Sequence, residues 1–138
     1  MGQQQLLLII LGVIVVGIAV AVGITMFTDN AQSANRDAVV NDLVNLASRA
    51  QQFYRRPFAL GGGQGSFVLI TADAAGLAKL TSKPINADGT FSVSQAGTAT
   101  QVVLRGIGTE TGRDATNPIN IEMYVLADST WVDDATAN

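Results

Sequence analysis

Apolar and polar positions divide the chain into three stretches. From Leu6 to Phe27 every residue except Thr25 is apolar or glycine, an unbroken run of 22 positions. A segment apolar on every face is not one side of a globular core. As a helix it reaches about 33 Å, enough for the hydrocarbon core of a bilayer. Val13, Ile14, Val15, Val16 and Ile18 would suit a strand in water. In lipid the backbone must bond to itself, so a helix is predicted.

Beyond Thr28-Asp29-Asn30 the pattern acquires a helical period. Val39, Leu43, Leu46, Ala50 and Phe53 follow +4, +3, +4, +3 spacing, one apolar face, widened by Val40, Val44, Ala47 and Tyr54. Polar residues such as Asn41, Asn45, Ser48 and Gln52 fill the rest. Acids come early (Asp29, Asp37, Asp42) and bases late (Arg49, Arg55, Arg56), the order a helix dipole favours. Pro57 disfavours helical backbone at Arg56 and ends the element. One helix over residues 3–55, roughly 80 Å long, is the expectation. The stripe in its upper half needs a cover, and the domain that follows is the nearest one.

The third stretch reads as short strands and turns. Phe67-Val68-Leu69-Ile70 is a short apolar run with a strand signal, and Asp73 to Leu80 fits a helical turn or two. Asp88-Gly89 marks a turn before Phe91-Ser92-Val93. Gln101 to Ile107 is strongly β-like. Ile119, Ile121, Met123 and Val125 alternate with Asn120, Glu122, Tyr124 and Leu126, the period of a half-buried strand. Trp131-Val132 reads as a last short strand. The predicted fold is α+β: a long N-terminal helix with a small antiparallel sheet packed on its upper half. Its parts are residues 1–29 (apolar helix), 30–56 (amphipathic continuation) and 57–138 (β-rich head). The head is marginal in size for an independent core, and packing on the amphipathic half-helix relieves this.

Composition sharpens the division. Of 138 residues, 48% are hydrophobic and only 14% charged, against about 25% in ordinary soluble proteins. No charged side chain occurs before Asp29. There is no histidine and no cysteine, which removes Cys/His zinc sites, thiol nucleophiles, Ser-His-Asp triads and disulfides together. No convergent set of the remaining reactive side chains is visible, so an enzyme is not expected. No cofactor or metal is expected either.

Within the apolar run Gly12, Gly17, Ala19, Ala21 and Gly23 are small, and Gly17/Ala21 and Ala19/Gly23 are small-xxx-small pairs that let helices approach closely. Gly and Ala are also simply common in membrane helices. Gln3, Gln4 and Gln5 form a neutral polar cap. No Lys or Arg precedes the run, unlike a typical secretory signal, although Ala19-Val20-Ala21 matches a small-residue cleavage site and leaves a cleaved signal as an alternative.

This order of polar start, apolar helix, amphipathic extension, Gly-rich loop and antiparallel strands resembles the type IV pilin and pseudopilin family. Ala38-Val39-Val40-Asn41-Asp42-Leu43-Val44-Asn45-Leu46-Ala47, leading to Gln51-Gln52-Phe53-Tyr54, reads like a pilin helix ending in its aromatic residue. The resemblance implies a structural subunit that is membrane-inserted as a monomer and reaches the cell surface as a helical homopolymer, with help from filament-assembly machinery. A membrane-anchored interaction protein or a pseudopilin of a secretion system is the alternative. Two features depart from the family. Its basic leader, cut after a Gly, and its Glu fifth after the cut have no counterpart: Gln3 follows Gly2 and Leu7 stands fifth. Processing at Gly2 is therefore not implied, and Gln3, Gln4 and Gln5 would offer amide hydrogen bonds where the family offers a carboxylate. The cysteine pair that closes a loop in many pilins is also missing.

Other motifs carry less. Gly61-Gly62-Gly63-Gln64-Gly65-Ser66 lacks the Lys of a phosphate-binding loop and reads as a flexible linker. Gly106-Ile107-Gly108-Thr109-Glu110-Thr111-Gly112 resembles a nucleotide fingerprint only superficially and reads as a loop. Asp128, Asp133 and Asp134 read as solvated acids without calcium-loop spacing. Residues 114–138 hold five acids and no base, while residues 29–113 are net +2. In a head-to-tail assembly Asp133 and Asp134 of one copy would face Arg49, Arg55 or Arg56 of another. A pI of about 4.6 and the absence of a basic, aromatic cluster argue against nucleic acid as a partner.

Overall fold

In the computed structural model, which describes residues 2–134, a single helix α1 runs without interruption from Gly2 to Arg55. The sheet is a four-stranded antiparallel meander: β1 (Gly89–Gln95), β2 (Gln101–Thr111), β3 (Pro118–Leu126) and β4 (Thr130–Asp134), in that spatial order. A short helix α2 (Ala74–Ala78) and one 3-10 turn (Phe58–Leu60) lie in the connection from α1 to the sheet. The fold is α+β, with the upper half of α1 laid across one face of the sheet.

Alternation decides what faces the helix. Phe91 and Val93 of β1, Val102 and Leu104 of β2, and Ile119, Ile121, Met123 and Val125 of β3 point inward. They meet Val39, Leu43, Leu46, Ala47, Ala50 and Phe53 of α1, all buried. Leu77, Leu80, Phe67 and Ile70 close the same core. The Tyr54 and Phe67 rings lie 4.7 Å apart.

Three local expectations are corrected. Phe67–Ile70 is a turn, with the Ile70 amide donating to the Phe67 carbonyl at 2.8 Å. The turn sends residues three apart, Phe67 and Ile70, into the core and leaves Val68 and Leu69 outside, which a strand's alternation would not do. Gly106 to Thr111 continues β2 and is not a loop. Its glycines fit a strand because α1 crosses here: a Cβ on Gly106 would sit 2.6 Å from Val39 Cγ1. The Gly61–Gly65 segment is a bonded helix cap, not a free linker. The amides of Gly63, Gln64 and Gly65 donate to the carbonyls of Phe53, Arg56 and Tyr54, groups that a helix C-terminus leaves without partners. Gly61 and Gly65 take positive φ there, and a Cβ on Gly62 would collide with the Arg56 carbonyl.

Candidate assembly surface

Among the described residues, the apolar lower part of α1 packs against no other element. Its most apolar window is wholly unburied, and the large side chains from Leu6 to Phe27 are 51–78% exposed. The helix is long and apolar enough to cross a membrane. Among the described residues, nothing beyond the adjoining turns of the helix's own backbone lies within 4 Å of where a Cβ would stand on Gly12, Gly17 or Gly23, so the small positions are open notches. At 100° per residue, Gly12, Ala19 and Gly23 share an arc of about 40°, and Gly17 and Ala21 lie on a second face about 160° away. Thr25 is the only polar residue of the run. Its hydroxyl donates back to the Val22 carbonyl at 2.8 Å, so it presents no unsatisfied group. Gln3, Gln4 and Gln5 are exposed in the first turns.

The upper half is clamped to the head by polar contacts as well as by its apolar stripe. Asn35 Nδ2 donates to the Asp88 carbonyl (2.8 Å) and to Thr109 Oγ1 (3.2 Å), while its Oδ1 accepts from the Glu110 amide. Gly108 lies directly under that side chain. Asn86 Nδ2 donates to Asp42 at 2.6 Å, Gln51 Nε2 to the Leu126 carbonyl, and Arg49 to the Leu80 carbonyl. Apolar periodicity finds the stripe but not these side chains, since their partners lie far along the chain. Rod and head are thereby held in line.

The charged residues singled out from sequence scatter. Asp134 pairs with Arg36 of its own chain at 2.8 Å. Asp133 lies opposite Glu122 in the β3–β4 register. Arg49 and Arg55 donate to carbonyls of the head, Arg55 to that of Ala127. Arg56 stands at the helix end, where Gly62 packs against it. Contacts along α1 order the charges by height. Asp29, Asp88, Glu110 and Asp134 lie at the level of residues 29–37 with Arg36 and Arg113, and Asp37 is on that stretch of α1, net −3. From Arg49 upward, Arg49, Arg55, Arg56 and Lys79 outnumber Asp73 and Asp128, net +2. The acidic end faces the rod and the basic end lies away from it.

The outer face of the sheet holds a row from Ser94 through Arg105 to Glu122. Ser94 Oγ donates to Glu122 Oε1 at 2.6 Å, and Arg105 Nε to the same oxygen at 2.9 Å. The serine bond, joined by the arginine, holds this carboxyl below its ordinary range against the opposing effect of partial burial. Beside the row, Tyr124 and Trp131 stack nearly parallel, 3.9 Å between centroids. Among the described residues no group of three acids could hold a metal ion. No protein-family model, curated protein or solved structure matches the chain.

Proposed function

We propose that this protein is the structural subunit of a pilus-like helical filament, inserted in a membrane as a monomer and polymerised through residues 2–28 of α1 at the cell surface. The observation that carries the reading is the uncovered rod in rigid continuity with the head: one helix, half buried under a sheet and half bare. Sixteen large apolar side chains between Leu6 and Phe27 are more than half exposed. Covering them is worth on the order of 20 kcal/mol relative to water. Lipid supplies that cover for a monomer, and other rods supply it in a bundle. Apolar helices gain little hydrophobic energy by exchanging lipid for one another, so close packing at the small residues must favour the bundle. A filament of this kind resists losing subunits to water yet can return them to a membrane.

The experiment is electron microscopy of cells producing the protein, and of filaments sheared from them. Thin uniform filaments composed of this chain are the expected result. Detergent-bound monomers from cells without filaments would leave the single-span anchor as the reading.

A further inference from the structure

The head carries an exposed apolar turn at one end and a cleft at the other. At the top, the Phe58–Leu60 turn lies just past the end of α1, with Phe58 65% and Leu60 70% exposed. Gly61 at φ 75° closes the turn, donating its amide to the Phe58 carbonyl, so these side chains sit on a fixed knob. At the bottom, a cleft of about 580 Å³ opens between α1 and the β2–β3 turn, lined by Ser33, Arg36, Arg113 and Asp134, with buried Ile119 among its walls. That volume is in the range that accepts a small organic group. Charge runs the same way: the end carrying the knob is net positive, and the end carrying the cleft is net negative.

We propose that the Phe58–Leu60 knob of one copy seats in the lower cleft of a second copy, so that heads stack in one direction along the assembly. The inference rests on the filament reading and adds to it a specific contact and a polarity. Ile119 itself is covered by its own chain, so Phe58 or Leu60 packs on the aliphatic stems of Arg36 and Arg113 that line the cleft. Arg55 and Arg56 come beside Asp29 and Asp37. These rim charges orient the encounter and reject the reversed arrangement, in which like ends would meet. The knob stands about 25 residues above Ser33, so copies in contact are offset by roughly 35–40 Å along the helix axis.

The chain has no cysteine, which makes disulfide trapping clean. Leu60→Cys and Ser33→Cys are both at exposed positions and are combined in one chain, with each single variant alongside. Filaments from producing cells are oxidised and run on a non-reducing gel. A ladder of covalent multimers from the double variant, and no covalent dimer from either single variant, is expected. Adding Arg55→Glu and Arg56→Glu lowers the ladder yield about tenfold, and Asp29→Arg on that background restores part of it. Filaments without a ladder overturn this contact and leave the filament reading standing. A covalent dimer from Leu60→Cys alone means tip meets tip, which also overturns it. Wild-type cells that yield only monomers overturn the filament reading, and the contact falls with it.

Discussion

Glu122 is held by both a hydroxyl and a guanidinium. Ser94 and Arg105 both bond its Oε1, and its side chain is mostly covered. Bonds to the ionised form lower the carboxyl below the roughly 4.3 of a free Glu, with the serine the largest cause. The unfolded chain therefore binds this proton at a higher pH than the folded chain does. The resulting stabilisation is complete above the ordinary value and is lost as pH falls through the lowered one. Ser94→Ala removes the main cause. It should move the Glu122 carboxyl upward in a carbon-13 NMR titration and start acid unfolding at a higher pH. An unchanged Glu122 titration in that variant would show that the serine bond has no such role. Asn35 illustrates a different lesson of the same scale. One side chain ties α1 to β2 and to the turn before β1 through three bonds, yet a single Asn in a polar stretch carries no sign of it in the sequence.

At the scale of elements, the decisive contact is helix on sheet. Gly106 lets Val39, Leu43 and Phe91 meet across β2, with a hypothetical Cβ 2.6, 3.3 and 3.1 Å from their atoms. Val39 and Leu43 are fully buried on a helix fixed at both ends of the contact, so they have little room to yield. Gly106→Val should therefore cost about 1–3 kcal/mol through overpacking. In the full chain in detergent, that lowers the melting temperature of the sheet signal by roughly 4–8 °C per kcal/mol. A melting temperature equal to wild type would mean that the helix stands further from β2 than described. The same contact explains what periodicity could and could not reveal. The long helix and β3 follow repeating patterns, 3.6 and 2, that survive in sequence because each buries a continuous face. Phe67–Ile70 buries two residues three apart through a turn, so its apolar run imitates a strand. Gly106-Ile107-Gly108 looks like a loop because its glycines answer a helix that arrives from 65 residues earlier. The lower cleft was invisible for a related reason: Ser33, Arg113 and Asp134 come from three distant stretches.

For the whole molecule, the number of sticky faces on the rod decides between an anchor and a polymer. A helix with one small-residue face pairs once, and two such helices close into a dimer with nothing left over. Gly12, Ala19 and Gly23 make one face; Gly17 and Ala21 make another, turned about 160° from it. On the filament reading, two such faces let each rod hold a neighbour on either side, and association stays open. Filling one face should therefore be as damaging as filling both. Gly17→Leu with Ala21→Leu, and separately Gly12→Leu with Gly23→Leu, should each abolish filaments. Leucine raises hydrophobicity and helix propensity, so both variants should still be extracted from membranes only by detergent. A residual dimer through the untouched face, seen by cross-linking in the membrane, is the expected product of either pair. Normal filaments from one pair would reduce the rod to a single working face, and the bundle would then have to be held by the heads. Loss of membrane insertion would trace the effect to the rod's placement, so membrane fractionation accompanies each filament count.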